Sequence, residues 1–252
     1  MTETEQIDKY ILDHIAPEGD YLYRLYRATN IHTVHGRMAS GHLQGRLLKM
    51  LVQMVQPRNV LEVGTFSGYS AICIAEGLPD DGKLYTFEIN DEMEDFTRPW
   101  IEGSAVADKI DFRIGDANVE APKLGITFDM VFVDGDKRTY LETYETVLKM
   151  LRHGGYILAD NTLWDGHVTD SAYDHDHQTQ GIRKFNDFVA HDDRVENVIL
   201  PLREKNKVRF LKSHRQNRPT AKPLYALRFL FSTIDSTVMS LLKSVKNVNI
   251  TA

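Results

Sequence analysis

The hydrophobic pattern changes period at Pro57. Before it, Ile7, Ile11, Leu12 and Ile15, then Leu47, Leu48, Leu51, Val52 and Val55, recur at helical spacing. Residues 3–56 therefore read as helical, with Pro57 as the stop. After it, short apolar runs alternate with amphipathic stretches. Val60–Val63, Leu84–Glu88, Ile110–Ile114, Met130–Val133 and Tyr156–Ala159 predict strands. Ser70–Glu76, Glu92–Ala105 and Thr139–Leu151 predict helices, the last closed by Gly154-Gly155. Such alternation predicts an α/β fold with a doubly wound, mostly parallel Rossmann-like sheet. Beyond Trp164 a polar loop runs to Gln180, and Ile182–Ala190 predicts a helix. Val195–Leu202 and Lys207–Leu211 alternate around a polar turn, which predicts an antiparallel hairpin at one side of the sheet. Residues 1–212 thus form one expected domain, with residues 1–56 as a helical lid.

The rest, 213–252, reads as a basic extension. Leu224, Leu227, Phe231, Ile234, Val238, Leu241, Val245 and Val248 make a heptad seam after Pro223. A helix over about 224–245 follows, packed on the protein's own body or on a partner subunit. A homodimer is the expected assembly.

Composition narrows the function classes. With 252 residues, 42% hydrophobic and 26% charged, the chain has the make-up of a globular protein with one sizeable core. No apolar run is long enough to span a bilayer, and the N-terminus does not read as a signal peptide. The single cysteine, Cys73, fits a reducing compartment, so a cytoplasmic location is expected. It lies in an apolar helical stretch and reads as an inert core thiol. The net charge of −6 is divided: from Arg203 onward eleven bases face two acids, a balance of +9, which leaves −15 on the remainder. An acidic body argues against a broad phosphate-binding face, although the basic tail reopens the question of tRNA.

Two stretches carry the chemistry. Phe132-Val-Asp-Gly-Asp-Lys137 and Leu158-Ala-Asp-Asn-Thr162 each end an apolar strand in carboxylates. Ligands of open parallel sheets bind beyond the carboxyl ends of the strands. Asp134, Asp160 and the Asn161 amide are hard oxygen donors aimed at one crevice, which suits Mg²⁺, or less selectively Ca²⁺ or Mn²⁺. Lys137 stands three residues past Asp134, placed to act as a base. The bland alternative is that strand-end Asp residues merely cap helices or order turns.

Leu61-Glu-Val-Gly-Thr-Phe-Ser-Gly-Tyr-Ser70 follows the first strand and opens a helix. It lacks the Gly-x-Gly-x-x-Gly of a dinucleotide site. Glu62, two residues before Gly64, is a poor neighbour for phosphate and suits a cationic ligand carrying an ammonium and a sulfonium. Gly64 and Gly68 permit tight turns and close ligand approach. Glu88 ends the second strand, where it can accept from two ribose hydroxyls. Gly115-Asp116-Ala117 can wall an adenine edge. Singly each signal is modest; their order along successive strand ends points to S-adenosylmethionine.

These motifs, with Asp160-Asn-Thr-Leu-Trp-Asp-Gly166, resemble the cation-dependent class I O-methyltransferases, the group of plant caffeoyl-CoA and mammalian catechol O-methyltransferases. The resemblance runs from Met38 to about Leu202. It implies that Met38, Ser40, Glu62, Gly64, Thr65, Ser70, Glu88, Asp116, Ala117, Asp134 and Asp136 contact S-adenosylmethionine. It makes Asp134, Asp160 and Asn161 the metal ligands and Lys137, beside Asp134, the catalytic base. Trp164 and Asp165 fall in the acceptor pocket, Asp165 where plant members carry Asn. Glu88 replaces the commoner Asp, the turn Leu202–Lys207 lacks the Asp-Gly of the pattern, and residues after His214 lie outside it.

The expected reaction is metal-assisted methyl transfer to a catechol-type or other small hydroxylated aromatic acceptor. The alternatives are a hydroxylated tRNA base as acceptor and a cofactor-binding scaffold without catalysis. Asp174-His-Asp-His177 would need further ligands to make a second metal site and fits a lid over the acceptor pocket better. His32, His35 and His42, near Met38, fit that pocket or plain surface and capping roles.

Overall fold

The computed structural model of the chain describes residues 3–201 and 207–213. Three helices precede Pro57: α1 (Glu3–His14), α2 (Asp20–His32) and α3 (Gly41–Val55). Strands β1 (Asn59–Val63), β2 (Lys83–Glu88), β3 (Ile110–Ile114), β4 (Phe128–Val133) and β5 (Leu151–Ala159) follow. Helices α4 (Tyr69–Gly77), α5 (Glu94–Glu102), α6 (Ala117–Glu120) and α7 (Tyr140–Met150) lie between them along the chain. After β5 come α8 (His177–Ala190), β6 (Val195–Pro201) and β7 (Lys207–Ser213).

The seven strands form one sheet in the order β3-β2-β1-β4-β5-β7-β6. The first five are parallel, and β7 runs antiparallel to both β5 and β6. Period-2 alternation sends neighbouring strand residues to opposite faces. Val60, Met130, Phe132 and Leu158 join α2, α3, α4 and α5 in one apolar layer. Leu61, Val63, Val131, Val133 and Ile157 join α6, α7 and α8 in the other. Helices thus cover both faces of the parallel strands, as doubly wound sheets require.

The structure corrects three element boundaries. β5 begins at Leu151, so Gly154-Gly155 lie inside the strand rather than closing a helix. Its register against β4 jumps from Phe128↔Leu151 to Met130↔Tyr156, and the surplus residues bulge around the glycines. α5 covers Glu94–Glu102 instead of 92–105, because residues Asp91–Met93 form a 3-10 turn capped by Asn90. α8 starts five residues before Ile182, because Asp176 caps it by accepting from the Thr179 amide (2.7 Å) and hydroxyl (2.6 Å). The hairpin turn at 202–206 and the expected tail helix over 224–245 lie outside the described residues. Among the described residues no helix is long and apolar enough to cross a membrane.

Candidate active site

Strand order reverses between β1 and β4, because the chain lays β2 and β3 on one side and β4 and β5 on the other. Loops diverge there and leave a crevice beyond the strand ends. The pairings Val63↔Val133 and Val133↔Ala159 place Gly64, Asp134 and Asp160 in one row just past those ends. The row is continued by the Asp134 amide donating to the Val63 carbonyl (2.8 Å) and the Asp160 amide donating to that of Val133 (2.9 Å). A cleft of about 1150 Å³ opens above it. The cofactor, metal, base and acceptor residues that the resemblance implies all line this cleft except Glu62.

The loop after β1 is held by the strands beside it. Gly64 sits at φ 97°, and a Cβ there would lie 2.4 Å from the Asp134 carbonyl oxygen. The neighbouring loop therefore makes one close approach to this glycine, which also lines the cleft. Glu88, buried at the end of β2, accepts from the amides of Phe66 (2.7 Å) and Asn90 (2.9 Å). Each oxygen keeps acceptor capacity toward the cleft, so Glu88 could take sugar hydroxyls. Asp116 caps α6 by accepting from the Asn118 amide (2.9 Å), and Ala117 is buried beside it. Met38 is exposed at the mouth of the cleft, while Ser40, Thr65 and Ser70 are buried in its wall.

Glu62 stands behind that wall and is fully buried. The Thr86 hydroxyl donates to its Oε2 at 2.6 Å, while Oε1 finds no comparably close donor among the described residues. Burial pushes its carboxyl up to about 8, against hydrogen bonds from Ser70 and Thr86 and with help from the charges of Asp134 and Glu88. A buried acid with one oxygen so placed suits a cationic group arriving in the cleft. This is the observation that fits the residues to S-adenosylmethionine.

The two aspartates differ in environment. Asp160 is buried; Gln44 Nε2 donates to its Oδ2 (2.8 Å) and the Asn161 amide to its Oδ1 (2.8 Å). Burial and then the charge of Asp134 raise its pKa, only partly offset by Lys137, Gln44 and the Asn161 amide. Asp134 is close enough for its charge to raise the Asp160 carboxyl, and with Asn161 next in the chain this all-oxygen donor set suits a hard divalent cation that relieves the repulsion. Asn161 is left-handed at φ 55°, a conformation asparagine tolerates better than most residues. Among the described residues no group of three or more His, Cys, Asp or Glu converges on a metal position. In the Asp174–His177 stretch, Asp176 is the α8 cap and Asp174 pairs with Arg183 (2.6 Å).

Lys137 is buried and donates to Asp134 Oδ1 (2.7 Å) and to the Tyr140 hydroxyl (2.8 Å). Burial works against its ammonium, but Asp134, Tyr140 and Asp160 outweigh that and hold its pKa above the ordinary lysine value. Tyr140 in turn donates to the carbonyl of Val133 or of Asp160, at 3.2 and 3.0 Å. Asp136 pairs with Arg138 (2.5 Å) at the cleft's edge. Trp164 and Asp165 lie across from Lys137 at φ 41° and 52°, the Trp164 ring centre 6.0 Å from Nζ. His32 and His35 line the cleft, whereas the His42 ring bonds the Ala16 carbonyl (2.7 Å). Gln44 and Tyr140 are the participants that sequence reasoning missed. Gln44 is 116 positions from the aspartate it holds, and Tyr140 lies in a helix whose apolar face reads as plain core.

A family model described as O-methyltransferase matches residues 13–208. The chain belongs to the O-methyltransferase family, and it is an S-adenosylmethionine-dependent O-methyltransferase. Within that family it is similar to tricin synthase 2 of Oryza sativa subsp. japonica, at 35% identity over 80% of this chain and 73% of the relative. Caffeoyl-CoA O-methyltransferase 1 of Zea mays is 36% identical over 80% of this chain and 83% of its own. Among solved structures, the O-methyltransferase TomG of Streptomyces achromogenes, in complex with SAM, superposes with a TM-score of 0.76 at 29% identity. That match covers 85% of this chain and all of TomG.

Proposed function

We propose that the enzyme transfers the methyl group of S-adenosylmethionine to one hydroxyl of a catechol-type aromatic acceptor, with a divalent cation held by Asp134, Asp160 and Asn161. The observation that carries this reading is that Asp134, Asp160, Asn161 and Lys137 all line one cleft, with Lys137 bonded to Asp134 (2.7 Å). A cation bound there would supply a Lewis acid that lowers the pKa of a chelated phenol. Mg²⁺ fits the donor set first, with Ca²⁺ or Mn²⁺ as alternatives.

The protein's own groups then divide the work. Glu62 lies behind the methionine end of the cofactor, with Gly64, Thr65 and Ser70 as its wall. Glu88 takes the ribose, Asp116 and Ala117 border the adenine, and Met38, Ser40 and Asp136 close the other side. Lys137 accepts the phenolic proton in its neutral form. Once Asp134 and Asp160 engage another cation, it loses the anionic partners that hold its own proton. Trp164 and Asp165 orient the acceptor ring so that oxygen, methyl carbon and sulfur align, and alignment supplies most of the acceleration. The helices before Pro57 serve as the lid of one domain that ends near residue 212. We place the enzyme in the cytoplasm, as a homodimer.

Labelled S-adenosylmethionine, offered with a panel of catechols and with bulk tRNA, tests the reading. Label in a catechol and none in tRNA is the expected result. Label in tRNA alone selects the nucleic-acid acceptor that the +9 tail keeps open, and no label in either rejects both acceptor classes.

A further inference from the structure

One guanidinium holds the loop that carries Trp164 and Asp165. Arg183, in α8, donates through Nε to the Val168 carbonyl (3.0 Å). Its Nη2 donates to the carbonyls of His167 (3.0 Å) and Asp170 (2.8 Å), and its Nη1 to Asp174 Oδ1 (2.6 Å). Trp164 and Val168 pack against the core layer, the His167 and Tyr173 rings stack (3.6 Å), and Gln180 Nε2 donates to the Asp174 carbonyl (2.6 Å). Among the described residues, however, only Arg183 joins four separate loop residues through one group. No residue of Trp164–Thr169 or Ser171–Tyr173 is buried, and Trp164 and Asp165 stand in left-handed backbone that costs energy to maintain. A flat, five-donor fork can satisfy three carbonyls and a carboxylate at once; a lysine cannot.

The helix that carries this arginine is itself tied to the catalytic side of the cleft. A Cβ on Gly181 would lie 2.4 Å from the Lys137 carbonyl oxygen, so α8 meets the Lys137 turn backbone to backbone. Asn186 Nδ2 donates to the Thr162 carbonyl (2.6 Å), next to Asn161. Ile182, Phe185 and Val189 are buried in the core. One rigid helix therefore spaces the Lys137 turn, the end of β5 and the loop above the cleft.

We propose that Arg183 is the positioning residue of acceptor recognition. It sets where Trp164 and Asp165 stand over the cleft, and so which acceptor hydroxyl meets the methyl group, without lining the cleft itself. This rests on the reading of Trp164 and Asp165 as acceptor-pocket residues given above.

The test uses Arg183→Lys and Arg183→Ala in the full chain, with Trp100→Phe as background so that Trp164 is the only indole. Acrylamide quenching of Trp164 reads the loop directly, and needs no acceptor. Steady-state kinetics with an unsymmetrical catechol read KM, kcat and the ratio of the two methylated products, and calorimetry reads affinity for S-adenosylhomocysteine. The expected result for Arg183→Ala is a quenching constant raised about 2-fold, an acceptor KM raised about 10-fold and a product ratio moved toward unity. Product affinity and kcat should change less than about 3-fold, with Arg183→Lys intermediate. Unchanged quenching overturns the proposal, as does a parallel fall in kcat, cofactor affinity and melting temperature, which marks a merely structural residue. If wild type methylates no catechol, the reading under Proposed function fails, while the quenching result still decides whether Arg183 seats the loop.

Discussion

Gln44 donates to Asp160 Oδ2 at 2.8 Å with both side chains buried, so a residue of α3 fixes the rotation of a carboxylate at the end of β5. The Asn161 amide holds the other oxygen of that carboxylate (2.8 Å). Outer partners of metal ligands commonly contribute about 10- to 100-fold in metal affinity. Gln44→Leu should weaken Mn²⁺ binding by that order, read by electron paramagnetic resonance titration without any acceptor. Unchanged Mn²⁺ affinity would mean that Asp160 needs no such support.

The Lys137 ammonium is paired with Asp134 at 2.7 Å. Lys137→Met removes both the proposed proton acceptor and a buried cation. Turnover should fall about 10²- to 10⁴-fold, the range of general base catalysis, while Mn²⁺ affinity holds or rises because Asp134 is freed. A pH–rate profile and turnover matching wild type would move the base elsewhere.

Glu62 gives the clearest dependence on pH. Its folded pKa of about 8 lies above its ordinary value of 4.5, so the folded state binds the proton more tightly. The stability this confers is complete below about 4.5 and is lost as pH rises through about 8. Melting of the cofactor-free protein should therefore show a decline between those values that Glu62→Gln lacks. The same variant should bind S-adenosylmethionine more weakly. Identical pH profiles for the two proteins would place Glu62 in a wetter setting than its burial implies.

S-adenosylmethionine and S-adenosylhomocysteine should each raise the melting temperature by mass action, and NAD should not. Glu88→Ala should shrink that rise by removing the ribose acceptor. Equal stabilisation by NAD would contradict the cofactor reading.

Much of this site was legible because strands announce their ends. Apolar runs stopping in Asp134 and Asp160, and a glycine loop after Val63, put these residues past neighbouring strands before any register was known. The pairings Val63↔Val133↔Ala159 then turn three separate sequence signals into one row. Glu62 was legible as an acid just before the glycine loop but not as one buried behind the cleft wall, because the side of a strand it faces depends on the helices packed there. Gly154-Gly155 mimicked a helix stop, since a strand bulge and a helix end use the same residue. Gln44 and Arg183 gave no local signal. One acts across 116 positions, and the other bonds mainly to carbonyls, which every residue owns.

The central claim is that transfer runs through a divalent cation held by Asp134, Asp160 and Asn161. Its most direct measurement is turnover of a catechol by metal-stripped enzyme as Mg²⁺ is titrated back, in parallel with Asp160→Ala. The account predicts no turnover in excess chelator, saturable recovery with Mg²⁺, and no recovery for Asp160→Ala even though that variant still binds S-adenosylhomocysteine. Full turnover in excess chelator would contradict it.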